Sequence, residues 1–266
     1  MRRTNRRIWP LAVTVVLLVS GAAAAHHHET SPLKPDPSPK ASDLTAAQLI
    51  AKHAAARGGE QRLEGIQSVT MTGTWVASQG DPSPITLTIA PGRYLRRIQH
   101  TGADASIKAV DGPAAWEVTP QTGILKPTPM VAKDAARYRR LADPQGPLVN
   151  AQAKGNKVEV VGKMSWQGSQ VYKLKVTYRD QGVNYVYLDA KSFLPVRLVG
   201  TLFVPQLNKD FDFEVIYQDF RDVNGMKWPF TEKVNAPAIS FTQTTSWKTI
   251  EVNKPFDPSA FKAPKG

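Results

Sequence analysis

A mainly antiparallel β fold with a curved sheet and a few short helices is what the sequence predicts, on three observations. From Ile66 onward apolar residues recur with period two. Turn dipeptides punctuate the runs: Asp81-Pro82, Asp111-Gly112, Gln167-Gly168, Gln181-Gly182 and Asn224-Gly225. Only two stretches read as helices, and neither is long.

The first segment is an address. Arg2, Arg3, Arg6 and Arg7 precede the apolar run LAVTVVLLVSG, and Ala22 to Ala25 supply small residues for cleavage. The run is short for a spanning helix, which needs about 20 residues, so residues 1–25 read as a signal peptide of an exported, periplasmic protein. Their removal takes four arginines and no acids, lowering the net charge from +12 to +8. Nucleic acid is a poor partner for an exported chain, so the basic surplus points to an anionic membrane surface. There are no cysteines, which excludes disulfides, thiolate metal sites and a cysteine nucleophile. Residues 26–42 are rich in Pro and Ser and lack periodicity. They read as a disordered or extended tether, mobile and dispensable for folding, and His26-His27-His28 as a solvated stub. The folded domain spans residues 43–266.

Thr45 and Gln48 make a capping box for a helix that Gly58-Gly59 ends, with Leu49, Ile50 and His53 on one face. His53 reads as a packed or half-exposed helix residue, not a catalyst. SVTMTGTW, ITLTI, VYKLKVTY and FDFEVIY alternate apolar and polar residues, giving a sheet with one buried and one wet face. About ten strands follow from this pattern. Between them, Val131 to Pro144 reads as a short basic helix stopped by proline.

Asn224-Gly225 folds FRDVNGMKWPFT into a hairpin. Its register sets Val223 against Met226, Arg221 against Trp228, Asp219 against Phe230, Tyr217 against Glu232 and Val215 against Val234. Arg221 is expected over the Trp228 ring at a wet rim, and the hairpin to line a concavity that is apolar inside and polar at its lip. No HExxH, GxSxG or phosphate-cradling glycine loop occurs. Asp210, Asp212 and Glu214 share the solvated face of a strand, a poor place for acid–base work. No cofactor, metal site or catalysis is expected.

YLDAKSFLPVRL, YQDFRDVNGMKWPF, DPQGPLVN and KVEVVGKMSWQGSQVYKLKV together resemble the LolA-like superfamily, closest to outer-membrane lipoprotein-sorting proteins. The resemblance covers nearly all of residues 43–261. It implies an unclosed antiparallel β-barrel with short helices plugging its concave side, and a cavity for the acyl chain of a lipid or lipoprotein. On that basis Met71, Trp75, Leu87, Ile89, Trp116, Leu174, Val176, Phe213, Val215, Trp228, Phe230 and Phe241 are expected to line the cavity. Lys133, Arg137, Arg139, Arg140 and Arg221 are expected at a rim facing an anionic membrane or an inner- or outer-membrane protein. The protein is expected to be a monomer. An envelope regulatory module binding a protein partner is the alternative, and a hydrolase the third.

Overall fold

The computed structural model describes residues 32–78, 80–100 and 105–264. The expected signal peptide, His26-His27-His28 and the first part of the tether lie outside the described residues. Helices α1 (Ala46–Arg57) and α2 (Glu60–Glu64) precede strands β1 (Val69–Ala77), β2 (Ser83–Ala90), β3 (Arg93–Ile98), β4 (Ser106–Asp111), β5 (Ala114–Thr119) and β6 (Ile124–Pro129). Helix α3 (Ala132–Leu141) follows. Strands β7 (Lys157–Trp166), β8 (Ser169–Thr177), β9 (Val183–Asp189), β10 (Pro195–Val204), β11 (Lys209–Val223), β12 (Met226–Ala236) and β13 (Phe241–Val252) complete the chain.

The thirteen strands form one antiparallel sheet in the order β6-β5-β4-β3-β2-β1-β13-β12-β11-β10-β9-β8-β7. β6 and β7 do not meet, so the barrel stays open. The count exceeds the ten expected because some strands carry no clean alternation. β6, for example, holds Pro127 and Pro129, which only an edge strand tolerates. Register shifts at Thr72/Gly73, Glu117/Thr119, Val160/Gly162 and Pro195/Arg197 bend the sheet.

The capping box forms as expected: the Thr45 backbone N–H donates to Gln48 Oε1 and the Gln48 N–H donates to Thr45 Oγ1. Gly58 ends α1 at φ 125°, and a side chain there would strike the backbone of Gly225 and Met226. The β11–β12 hairpin tip thus seats directly on the α1–α2 junction. The hairpin has the expected register from Val223–Met226 to Glu214–Asn235, save at Asp219. That residue turns left-handed at φ 55° and leaves Phe230 unpaired. The twist moves Arg221 onto the Phe230 ring, 4.5 Å away, and into an ion pair with Asp219 at 2.6 Å. The Trp228 ring, where Arg221 was expected, lies under Arg57 at 5.0 Å.

Both faces of the sheet carry apolar residues, and the chain covers both. On the concave side Leu63, Ala135, Tyr138 and Val149 pack on Met71, Leu87, Trp228 and Phe230, while Leu49 and Leu148 pack on Leu174 and Val176. On the outer face Ala109, Trp116 and Val118 form a separate cluster. The C-terminal tail caps it: Trp116 Nε1 donates to the Phe261 carbonyl at 2.8 Å, and Phe256 meets Phe261 edge to face.

The stretch read as a free tether is extended from residue 32 but is not free. Lys40 makes a two-way backbone bridge with Lys163. Asp36 lies on the outer face over β8–β10, where its carboxylate accepts from Arg197 Nη1 at 2.7 Å and from Lys173 Nζ and Tyr187 Oη at 2.5 Å each. Arg197 also bonds Glu214 at 2.6 Å, so Glu214 is paired and largely buried rather than solvated. The reading failed because its signal was apolar content, whereas the anchor is one carboxylate placed among cations.

Burial alone would raise the Asp36 carboxyl, but the bonds from Lys173, Tyr187 and Arg197 outweigh it and hold the group below its ordinary range. A depressed folded pKa stabilises above the unfolded value, and that stability disappears as pH falls through the folded one. Asp36→Ala is expected to cost about 2–3 kcal/mol in urea unfolding near pH 7, the worth of hydrogen bonds to charged groups. The gap between parent and variant should shrink in acid. Removal of residues 1–41 should cost as much, and an unchanged midpoint would show that the segment does not hold the sheet.

Candidate functional site

The concave face divides into a buried part and a half-buried part. Met71, Leu87, Leu174, Val176, Trp228 and Phe230 are buried beneath the helices. They are core first, and only Met71 and Trp228 among them also reach a cavity wall. Trp116, expected to line the cavity, is on the outer face beneath the C-terminal tail, because its neighbours Ala115 and Glu117 take the concave positions. Trp75 and Ile89 are half-buried at the margin. Phe213, Val215 and Phe241 are half-buried and belong to none of the buried clusters. Cross-strand register adds Phe211, Leu202 and Val234 to the same face, since Val215 opposes Val234 and Phe211 opposes Leu202. These six form a half-buried apolar strip along β10–β12 and the start of β13, outside the buried clusters beneath the helices.

The strip runs into a cavity of about 190 Å³ between sheet and helices. Its apolar wall is Met71, Ile89, Leu148, Val186, Leu198 and Trp228, and its polar groups are His53, Arg57, Asp143, Tyr217 and Glu232. A larger cleft of about 470 Å³ shares Asp143 and Pro144 with it and opens between α3 and the β8–β9 hairpin. Arg139, Arg140, Lys154 and Arg179 line that cleft against Asp143 and Asp180, so it is basic.

His53 Nδ1 lies 3.1 Å from the Phe193 carbonyl and donates to it; burial, with Arg57 nearby, pulls its pKa down to about 4, so the ring is neutral at pH 7. Burial likewise lowers Arg57 to about 10, opposed by Asp143, and it remains a cation. Tyr217 is held far above its usual pKa, by burial first and then by Glu232. Burial raises the Glu232 carboxyl, against the pull of the Trp247 indole N–H, 3.3 Å away, and of Arg96. Arg57, Tyr217 and Glu232 were not singled out from sequence. A signal existed for Arg57: it sits four residues after His53 and eight after Leu49 on an alanine-rich helix.

The rim cations are not a free basic surface. Lys133 bridges to Asp210 at 2.6 Å and covers Phe203. Arg137 lies 3.7 Å from Asp134 and against the Tyr138 ring. Arg139 donates to the Pro113 carbonyl. Arg140 meets Asp180 at 3.1 Å and lies over Tyr178. Helix α3 is therefore a strap across the mouth, tying the β10–β11, β4–β5 and β8–β9 hairpins together. The amphipathic pattern gave its position, but the partners come from hairpins distant in sequence.

Glu232 gives this site a pH signature. A raised folded pKa means that the folded state holds the proton more tightly, so this contribution is present in acid and lost as pH rises through the folded value. Glu232→Gln keeps the shape and the indole acceptor without the buried charge. It is expected to gain on the order of 1 kcal/mol at pH 8 and little at pH 4. Thermal melts of both proteins across that range check it; equal shifts at both ends would show that Glu232 is not strained by burial.

No family profile and no curated protein matches the sequence. Among solved structures, a LolA superfamily protein from Nitrosomonas europaea superposes with a TM-score of 0.53 at 12% identity, covering 82% of this chain and 98% of that one. A DUF1329 family protein from Desulfovibrio piger gives a TM-score of 0.48 at 8% identity, covering 82% and 97%. At such identities the likeness is one of fold, and the first comparison carries it. The open thirteen-stranded sheet with helices across its concave side is a LolA-like fold.

Proposed function

We propose that this protein is an exported, periplasmic carrier or binder of the acyl chain of a lipid or lipoprotein, acting as a monomer without catalysis. The observation that carries the reading is the half-buried apolar strip of Phe211, Phe213, Val215, Leu202, Val234 and Phe241, which leads by register into a cavity beside Trp228. An apolar approach to a largely apolar cavity suits an apolar occupant. Each methylene sheltered there contributes about 0.8 kcal/mol before the ordering of the chain is counted. The polar groups in the cavity fit binding better than hydrolysis. His53 is neutral and tied to a backbone carbonyl, and the cavity lining, among the described residues, holds no serine, threonine or cysteine. Delivery to or from a membrane protein belongs to the same reading, with α3 as the element that would move.

Native mass spectrometry of protein purified from its own host should show an added mass that extracts into organic solvent. Phe213→Asp places a charge in the strip at a half-exposed position. It is expected to weaken binding of a dansyl-labelled palmitoyl chain at least tenfold while the melting temperature moves by only a few degrees. Unchanged probe binding in this variant would remove the strip from the site.

A further inference from the structure

We infer that the ligand is a single-chain amphiphile with one carboxylate head, and that Arg57 receives that head inside the half-barrel. This inference rests on the acyl-chain reading and narrows it.

Arg57 closes the last turn of α1 and is 9% exposed. A guanidinium has five N–H donors in a fixed fork. Here one hydrogen bond is made, from Nη1 to the Gln145 carbonyl at 2.9 Å. One face of the group is covered by the Trp228 ring at 5.0 Å. Among the described residues no carboxylate forms an ion pair with it. Asp143, which also borders the cavity, is taken by Lys154, whose ammonium donates to its two oxygens at 2.9 and 2.8 Å. Asp143 acts on Arg57 through space but makes no ion pair with it, and a buried cation without a direct anionic partner is costly. Burial has already pulled the Arg57 pKa down, yet the group keeps its charge at neutral pH.

The cavity beside Arg57 supplies the remaining requirements. Its volume of about 190 Å³ is small for a complete phospholipid head with two chains but admits a carboxylate and the first carbons behind it. Leu198 and Tyr217 lead from it to Val215 and the half-buried strip, so a tail can run along β11 while its head stays on Arg57. The guanidinium fork matches a carboxylate bidentately, and the match strengthens away from water. Glu232 also borders the cavity. Burial raises its pKa, which weakens its opposition to an anion as pH falls, and Tyr217 stands opposite it in the register. The acyl groups of a lipoprotein or a glyceride end in neutral esters or amides, which would leave Arg57 unpaired.

The test is a displacement titration of a fluorescent acyl probe by decanoate, decanol and decyl phosphate, on the parent, Arg57→Gln and Arg57→Lys. Decanoate is expected to bind the parent at least tenfold more tightly than decanol. Arg57→Gln should close that gap by weakening decanoate while decanol keeps its affinity, and Arg57→Lys should restore part of it. Equal binding of acid and alcohol to the parent, or a gap that survives Arg57→Gln, overturns the assignment and leaves the acyl carrier standing. Tighter binding of decyl phosphate than of decanoate overturns the carboxylate in favour of a phosphate head. If no chain displaces the probe at all, the acyl-carrier reading itself fails. Should Arg57→Gln not fold, the parent's acid-to-alcohol ratio and Arg57→Lys still decide.

Discussion

A sheet that curves without closing exposes two faces, and covering both is the constraint on which the rest of this structure depends. A closed barrel hides its inner face by geometry; an open one has to recruit cover from elsewhere in the chain. Here α1, α2, α3 and the 142–156 stretch take the concave side. Segments near both ends of the described residues take the outer side, Asp36 over β8–β10 and Phe261 over Trp116. These two segments are thus part of the fold, and the sheet keeps its curvature with β6 and β7 apart.

The two outer straps hold by different physics. Phe261 is an apolar plug, fully buried, with one indole hydrogen bond to its carbonyl. Asp36 is a charge that completes a cluster of Arg197, Lys173, Tyr187 and Glu214. Burying those cations under an extended segment is favourable because the segment brings the anion with it. Both straps leave the concave face to the helices, and the helices cover only part of it. Helix α3 reaches β11 only at its start, through Lys133 and Asp210, and the apolar strip beyond stays half-buried.

Helix α3 links site and stability. Its cations join three hairpins through exposed or partly exposed pairs such as Lys133–Asp210 and Arg140–Asp180. Pairs of this kind are individually weak, so the strap can close the mouth without locking it. Behind it, Arg57, Tyr217 and Glu232 keep polar chemistry in an apolar cavity. Such groups lower stability where they stand, and a cavity that retains them fits ligand recognition better than packing.

The sequence by itself determined the elements and much of their pairing. Period-two runs located the strands, Thr45 and Gln48 set the start of α1, and Asn224-Gly225 fixed a register that holds from Val223–Met226 to Glu214–Asn235. These signals are local, carried by residues a few positions apart. Tertiary structure decided which apolar residues are core and which are open. Phe230 and Phe213 read alike in sequence, yet one is buried under helices and the other half-buried outside the core clusters. It also decided that Trp116 faces outward, that Asp36 anchors a segment with no apolar periodicity, and that the cations of α3 have partners. The pairing of Arg57 with Trp228 joins residues 171 positions apart. No local pattern encodes such contacts, because they exist only once the sheet has curved and brought its strands around the helices.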